Sequence, residues 1–86
     1  MTINNQWYVY LLRCNDNSLY CGVTTDLTRR VNEHNSSAKG AKYTKVRRPV
    51  SLVYSELAQD RSEACKVEAK IKKLTKMKKE LLVTNY

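Results

Sequence analysis

Trp7-Tyr8-Val9-Tyr10-Leu11-Leu12-Arg13-Cys14, then Asn15-Asp16-Asn17-Ser18, then Leu19-Tyr20-Cys21-Gly22-Val23, is the stretch that decides the fold. The first segment is rich in strand formers and apolar on both alternating faces, the pattern of a central strand covered on each side. The second has the composition of a turn. The third reads as the returning strand of a hairpin. Gly22 permits a close backbone approach at its end. A hairpin here sets the two strands side by side, so that the hydroxyls of Tyr10 and Tyr20 share one face.

Helices follow outward from that hairpin. Thr25 or Asp26 supplies a cap, and Leu27, Arg30, Val31 and His34 fall at i, i+3, i+4 and i+7, one helix face. Leu27 and Val31 pack, while Arg30 and His34 are aimed at something beside the core. Arg29 is turned away by about 100° and faces solvent or a nucleic-acid backbone. Ser36 to Pro49 reads as a basic loop, with room for a short turn of helix. Val50 to Ser55 is a third strand, with Val50, Leu52 and Tyr54 expected on one side. Asp60 and Glu63 form a capping-box-like start for a helix from about Ser62 to Leu74, whose apolar stripe is Ala64, Val67, Ile71 and Leu74. Thr75 caps a last short helix packed through Met77, Leu81 and Leu82. The predicted order is β-β-α-β-α-α, an α+β domain with a small three-stranded antiparallel sheet flanked by helices. Residues 7–83 form the domain, with a loose lead-in at 1–6 and a tail at 84–86.

Composition narrows the function. The chain has 86 residues and a formal net charge of +8, an excess that favours nucleic acid as the partner. No apolar run approaches the roughly 18 residues of a membrane span, and no secretory signal is visible, so a cytoplasmic protein is expected. Cys14, Cys21 and Cys65 are odd in number, lack C-x-x-C spacing and are accompanied by a single histidine. That pattern excludes a disulfide framework and a four-ligand zinc site and fits reduced thiols.

Two tyrosine clusters beside a helix that offers Arg30 and His34 one turn apart place phenols, a guanidinium and an imidazole around one pocket, a toolkit for attacking a phosphodiester. The chain has six Tyr and no Phe, which favours polar use of the ring edge, since a buried phenol needs a hydrogen-bond partner. Glu68 lies on the flank of the apolar stripe, beside Ala64 and Ile71. A carboxylate there is satisfied either by a lysine salt bridge or by a divalent metal. Lys42, Lys45, Arg47 and Arg48 could track a phosphate backbone, with Tyr43 available for stacking.

Tyr8-Val9-Tyr10, Tyr20-Cys21-Gly22, Thr25-Asp26-Leu27 with Arg29-Arg30 and Glu33-His34-Asn35, Gly40-Ala41-Lys42-Tyr43-Thr44 and the glutamate helix together resemble the GIY-YIG nuclease superfamily, in particular its small stand-alone bacterial members. Tyr8 stands where the first motif has Gly, Cys21 replaces the usual Ile, and Val23 stands where some relatives carry a lysine. Asn85 is left unassigned. The resemblance implies a metal-dependent endonuclease that hydrolyses DNA, with RNA as the alternative and branched or single-stranded substrates among the candidates, in repair or recombination. Tyr10, Tyr20, Arg30 and His34 match its catalytic positions, and Glu68 its metal-binding glutamate for Mg²⁺ or Mn²⁺. Tyr10 would accept the proton of an attacking water directly or through His34, Tyr20 would bond the phosphate or the water, and Arg30 would offset charge in the transition state. The competing reading is a non-catalytic nucleic-acid-binding module. The hydrolytic reading requires Tyr10, Tyr20, Arg30 and Glu68 to converge on one solvent-open cleft. A carboxylate on the far side of the sheet from the guanidinium would leave only a cationic binding domain.

Overall fold

The strand with two apolar faces takes the middle of the sheet. The computed structural model describes residues 6–86, so residues 1–5 of the expected lead-in lie outside it. Strand β1 (Trp7–Arg13) is flanked by β2 (Leu19–Thr24) and β3 (Ser51–Ala58) in the order β2-β1-β3. Both pairings are antiparallel. Helices α1 (Leu27–Ser36), the single turn α2 (Lys42–Lys45), α3 (Arg61–Lys72) and α4 (Lys76–Thr84) complete the expected α+β architecture.

Alternation along β1 divides the core in two. Val9 and Leu11 join Cys21, Ala58, Ala64 and Ile71 under α3 and α4. Tyr10, Leu12 and Cys14 join Val50, Leu27 and Val31 on the α1 side. Burying one leucine-sized side chain contributes about 1.5–3 kcal/mol, and Val9, Leu11 and Leu12 are all 0% exposed. Asn17, in the hairpin turn, takes φ 69°, a left-handed conformation that asparagine tolerates. Asp26 caps α1 by accepting from Arg29 N at 3.0 Å. Asp60 caps α3 through Glu63 N, and Thr75 caps α4 through Lys78 N.

Two expectations are corrected. Val50 and Leu52 share the α1 side, but Tyr54 does not. The register slips where β1 passes from Leu11 to Leu12. Tyr54 pairs with Leu11 and Leu52 with Leu12, so Val53 is the extra residue of a bulge. Tyr54 therefore packs with the α3-side cluster. On α4, Leu82 and Val83 pack inward, whereas Met77 and Leu81 are exposed. The helix is rolled by Glu80, whose carboxylate takes both terminal nitrogens of Arg13, with Arg13 Nη2 at 2.7 Å, and also Lys76 Nζ at 2.6 Å. At the end of the chain, Tyr86 Oη lies 2.9 Å from Ser55 Oγ and its ring packs on Tyr54. No helix among the described residues is long and apolar enough to cross a membrane. The three cysteines are free, with Cys14 and Cys21 buried and Cys65 exposed.

Arg13 first, and Lys76 second, hold the Glu80 carboxyl down from 4.5 to about 2. An unfolded chain protonates this group near its ordinary value, so the stabilisation is present above about pH 4.5 and is lost as pH falls through about 2. Melting curves of wild type and Glu80→Gln should be well separated at pH 6 and converge as pH approaches about 2. Parallel curves over that interval would show that the fork does not stabilise the fold.

Candidate active site

Tyr10 crosses from β1 to the backbone of β2. It is paired with Gly22 in the register and is 1% exposed. A methyl group built on Gly22 would lie 2.7 Å from Tyr10 Cζ and closer still to Oη. The glycine is therefore required by the tyrosine: the phenol occupies the space that any other side chain would fill.

Beyond Gly22, Tyr10 Oη meets His34 Nε2 at 2.8 Å. His34 is completely buried. Its Nδ1 accepts from the backbone N–H of Ala41 at 3.2 Å, and Thr44 Oγ1 lies 3.0 Å away. An amide N–H only donates, so Nδ1 carries a lone pair. The single proton of the neutral ring is then on Nε2, which donates to Tyr10. Burial, with Arg30 next, pushes the imidazole down from 6.5 to about 4, so it is neutral at physiological pH. Burial likewise raises Tyr10 to about 12, against the opposing pull of the neighbouring Arg30 guanidinium. As arranged, His34 holds Tyr10 and faces no solvent.

Gly40 brings the Ala41 N–H into place. A side chain there would meet Glu33 O at 2.6 Å, so only glycine lets the loop lie against α1. Arg48 closes the same end of the helix, donating to His34 O at 2.6 Å and Ser37 O at 2.7 Å. Asn35 fastens α1 to the start of β3, exchanging bonds of 2.7 and 2.9 Å with the backbone of Val50.

Arg30 donates to Glu33 Oε1 at 2.8 Å and to Lys39 O at 2.9 Å. It lines a pocket of about 320 Å³ with Trp7, Thr24, Arg29, Glu33 and Arg61. Tyr20 is half-buried, edge-on to His34 at 5.2 Å and stacked with Tyr43 at 5.8 Å between centroids. A larger hollow, about 440 Å³, runs along α1 past Asp26, Asn32 and Ser36 and includes neither tyrosine nor His34.

Glu68 stands apart from this group in the layering. Its helix covers the face of the sheet opposite α1, so the expected single cleft is not what the coordinates present. The carboxylate is half-buried and paired with Lys72, whose Nζ lies 3.2 Å from Glu68 Oε2. Strand β2 is an edge strand. Glu68 acts electrostatically on Cys21 in it, and Lys72 interacts electrostatically with Tyr20 and Cys21. Tyr20 points to the α1 side of that strand, and Arg61, two turns before Glu68 on the same flank of α3, shares the pocket with Arg30. Tyr10, Tyr20, Arg30 and His34 thus lie on the α1 side of the sheet, and Glu68 lies on the helix of the other side.

Among the described residues, no three or more His, Cys, Asp or Glu side chains gather as a metal site. One half-buried carboxylate fits an ion completed by waters and substrate phosphate oxygens, and does not fit an all-protein cage.

The basic loop divides. Arg48 is consumed by the α1 terminus. Arg47 is bound to Asp16 Oδ2 and Tyr43 O, both at 2.9 Å, with its Cζ 3.8 Å from the Tyr43 ring centre. Tyr43 therefore already engages Tyr20 and Arg47, and a stacked base would have to displace one of them. Arg47 and Arg48, two of the four cations expected to track a phosphate backbone, are engaged within the fold: Tyr43 O and the hairpin's Asp16 hold Arg47, and carbonyls at the end of α1 hold Arg48. Lys42 and Lys45 are exposed. Arg29 keeps a side chain 54% exposed while reaching Glu33 at 3.6 Å. Thr44, Ala41, Gly40, Trp7 and Arg61 were not assigned roles from sequence. The first three lie inside the Gly-Ala-Lys-Tyr-Thr motif, the one signal that pointed to them.

A model of the GIY-YIG catalytic domain matches residues 6–80. The UPF0213 protein DP2720 of Desulfotalea psychrophila is 57% identical over 77 residues, covering 90% of this chain and 70% of that protein. The UPF0213 protein YazA of Bacillus subtilis is 51% identical over 83 residues, covering 96% and 82%. The solution NMR structure of EF2693 from E. faecalis superposes with TM-score 0.65 at 45% identity, over 99% of this chain and 90% of that one. That of the UPF0213 protein BH0048 from Bacillus halodurans gives 0.58 at 46%, over 92% and 83%.

Two outcomes are expected. Gly22→Ala should displace the phenol and cost about 1–3 kcal/mol, the usual range for overpacking, read from denaturant unfolding. Nitrogen NMR of His34 should show the Nε2–H tautomer and titration near 4. Because the unfolded imidazole protonates near 6.5 and the folded one near 4, stability should fall as pH drops across that window, by up to about 3 kcal/mol. A folded-state titration near 6.5 would overturn the assignment.

Proposed function

The chain belongs to the GIY-YIG family of nuclease-type catalytic domains, and we propose that it is an endonuclease that hydrolyses phosphodiester bonds in DNA with the help of one divalent ion. The observation that carries this reading is the grouping of Tyr10, His34, Tyr20 and Arg30 on the α1 side of the sheet. The net charge of +8 supports an anionic substrate. Cytoplasmic location and a task in repair or recombination belong to the same proposal. Free thiols and the absence of a membrane-crossing helix among the described residues agree with the former.

In this reading the buried pair is scaffold rather than base. A phenol near 12 supplies no phenolate at neutral pH, and the His34 lone pair is spent on Ala41. The route of a water proton through His34 is therefore dropped. Tyr10 and His34 stiffen the wall against which Arg30 is set. Arg30 meets the phosphate, exchanging Glu33 for phosphoryl oxygens and opposing the charge that builds in the transition state. Tyr20 is the phenol with access to solvent and takes the hydrogen bond from the attacking water or the phosphate. Glu68 would hold Mg²⁺ or Mn²⁺ in place of Lys72, and the ion would supply positive charge to offset that of the reacting phosphate. No covalent intermediate is needed.

A second reading, a non-cleaving nucleic-acid-binding module, is favoured by the same locked pair, since neither buried group exchanges protons near pH 7, and by Glu68, whose helix packs on the face of the sheet opposite Arg30. Purified protein incubated with branched, single-stranded and duplex DNA, with and without Mg²⁺ or Mn²⁺, separates the two. Cleavage should require metal and fall about 100- to 1,000-fold in Arg30→Ala. Equal rates in Glu68→Ala and wild type would remove Glu68 from the site, and salt-sensitive binding without any cutting would establish the binding module instead.

A further inference from the structure

The pocket at the far end of β2 has more positive charge than its own carboxylate balances. Arg29 and Arg30 enter it from α1, and Arg61 enters from α3 on the other side of the sheet. Glu33 is the one carboxylate in the lining, and it is already divided between Arg30 at 2.8 Å and Arg29 at 3.6 Å. Arg61 has no carboxylate partner among the described residues. Its contact is the indole of Trp7, with Cζ 5.8 Å from the ring centre. The hydroxyl side chain of Thr24 adds a neutral polar group, with Oγ1 3.4 Å from Arg29 Nη2. The cavity, about 320 Å³, has room for a phosphate group and its flanking sugar atoms.

We propose that this pocket is a subsite for a backbone phosphate of the nucleic acid, with Arg61 as its specific anchor and Trp7 as its apolar wall. In the free chain Glu33 stands where phosphate oxygens will stand, holding the two α1 guanidiniums at the mouth. A phosphodiester neighbouring the one that Arg30 meets takes the carboxylate's place at Arg29 and recruits Arg61, so that one strand is gripped from both faces of the sheet at once. The proposal rests on the reading that the partner is nucleic acid, and it adds residues to which neither motif spacing nor the helix pattern gave a role. It also gives a reason for the position of α3. Arg61 lies two turns before Glu68 on one flank of the helix, so a strand seated on Arg61 continues along the β2 edge toward the carboxylate.

Trp7 is the chain's single tryptophan, and its emission therefore reports on the pocket alone. Titration of the full chain with a labelled single-stranded oligonucleotide in EDTA, where metal-dependent cutting is suppressed, should change Trp7 emission in parallel with anisotropy. Arg61→Gln should weaken binding and reduce the slope of log affinity against log salt by about one. Arg61→Lys, which keeps the charge, should restore the slope, and Glu33→Gln should tighten binding. Inorganic phosphate at the same concentration should leave the emission unchanged. An Arg61→Gln variant, folded by circular dichroism, with the wild-type slope would overturn the subsite, as would a Trp7 signal indifferent to saturating oligonucleotide. Free phosphate reproducing the signal would replace the nucleic-acid assignment with a small-anion site. A lack of cutting in Mg²⁺ with this binding pattern intact would defeat the hydrolase reading alone. A chain that binds no oligonucleotide overturns both.

Discussion

Everything on the α1 side of the sheet depends on one hydrogen bond between two groups that never meet water, Nε2–H of His34 to Oη of Tyr10. A buried hydroxyl without a partner costs about 1–3 kcal/mol on protein mutational scales, so the contact cannot be surrendered cheaply from either end. Beside Thr44 Oγ1 at Nδ1 and the Arg30 guanidinium at the phenol, its supports are backbone. Gly22 leaves the space in which the phenol lies, Ala41 N–H decides which ring nitrogen carries the proton, and Gly40 admits the loop that delivers that N–H. Arg48 then ties the loop's exit to the last carbonyls of α1. Five separated parts of the sequence are thereby fixed relative to one another, and the Arg30 guanidinium inherits its position from them.

This inverts the roles that residue chemistry would suggest. Histidine is the side chain most suited to proton exchange near neutrality, yet here it is spent on geometry. Desolvation is the largest influence on both partners, and it acts against the charged form of each. The groups left with access to solvent are Tyr20, Arg29, Arg30, Lys42, Lys45 and, across the sheet edge, Arg61, Glu68 and Lys72. With Glu33 they make a set of cationic and hydrogen-bonding groups in which carboxylates are few. Such a set suits a polyanion.

The fold was legible in the sequence because its signals are local or periodic. Apolar residues on both faces of Trp7–Cys14 demand a central strand, and Asp26, Asp60 and Thr75 mark helix starts through side-chain oxygens that satisfy amides three residues on. Setting Tyr10 and Tyr20 on one face follows from the hairpin, and placing Arg30 and His34 together follows from helical spacing. Met77 and Leu81 misled because a lone i, i+4 pair states a face without stating that the core lies there. The Arg13–Glu80 fork, between residues 67 positions apart, decides the roll of that helix.

The sequence by itself therefore determined the elements, their order, the central strand, and the sharing of one face by Tyr10, Tyr20, Arg30 and His34. Tertiary structure alone decided four things: that His34 is sealed and protonated at Nε2; that Arg47 and Arg48 are engaged by the fold itself; that a bulge turns Tyr54 to the opposite side; and that Glu68 lies on the helix covering the face of the sheet opposite Arg30 instead of in a common cleft. The division has a physical reason. Propensity, capping and periodicity act between residues a few positions apart. Desolvation and hydrogen-bond competition depend on what distant segments bring into contact, which no local pattern records.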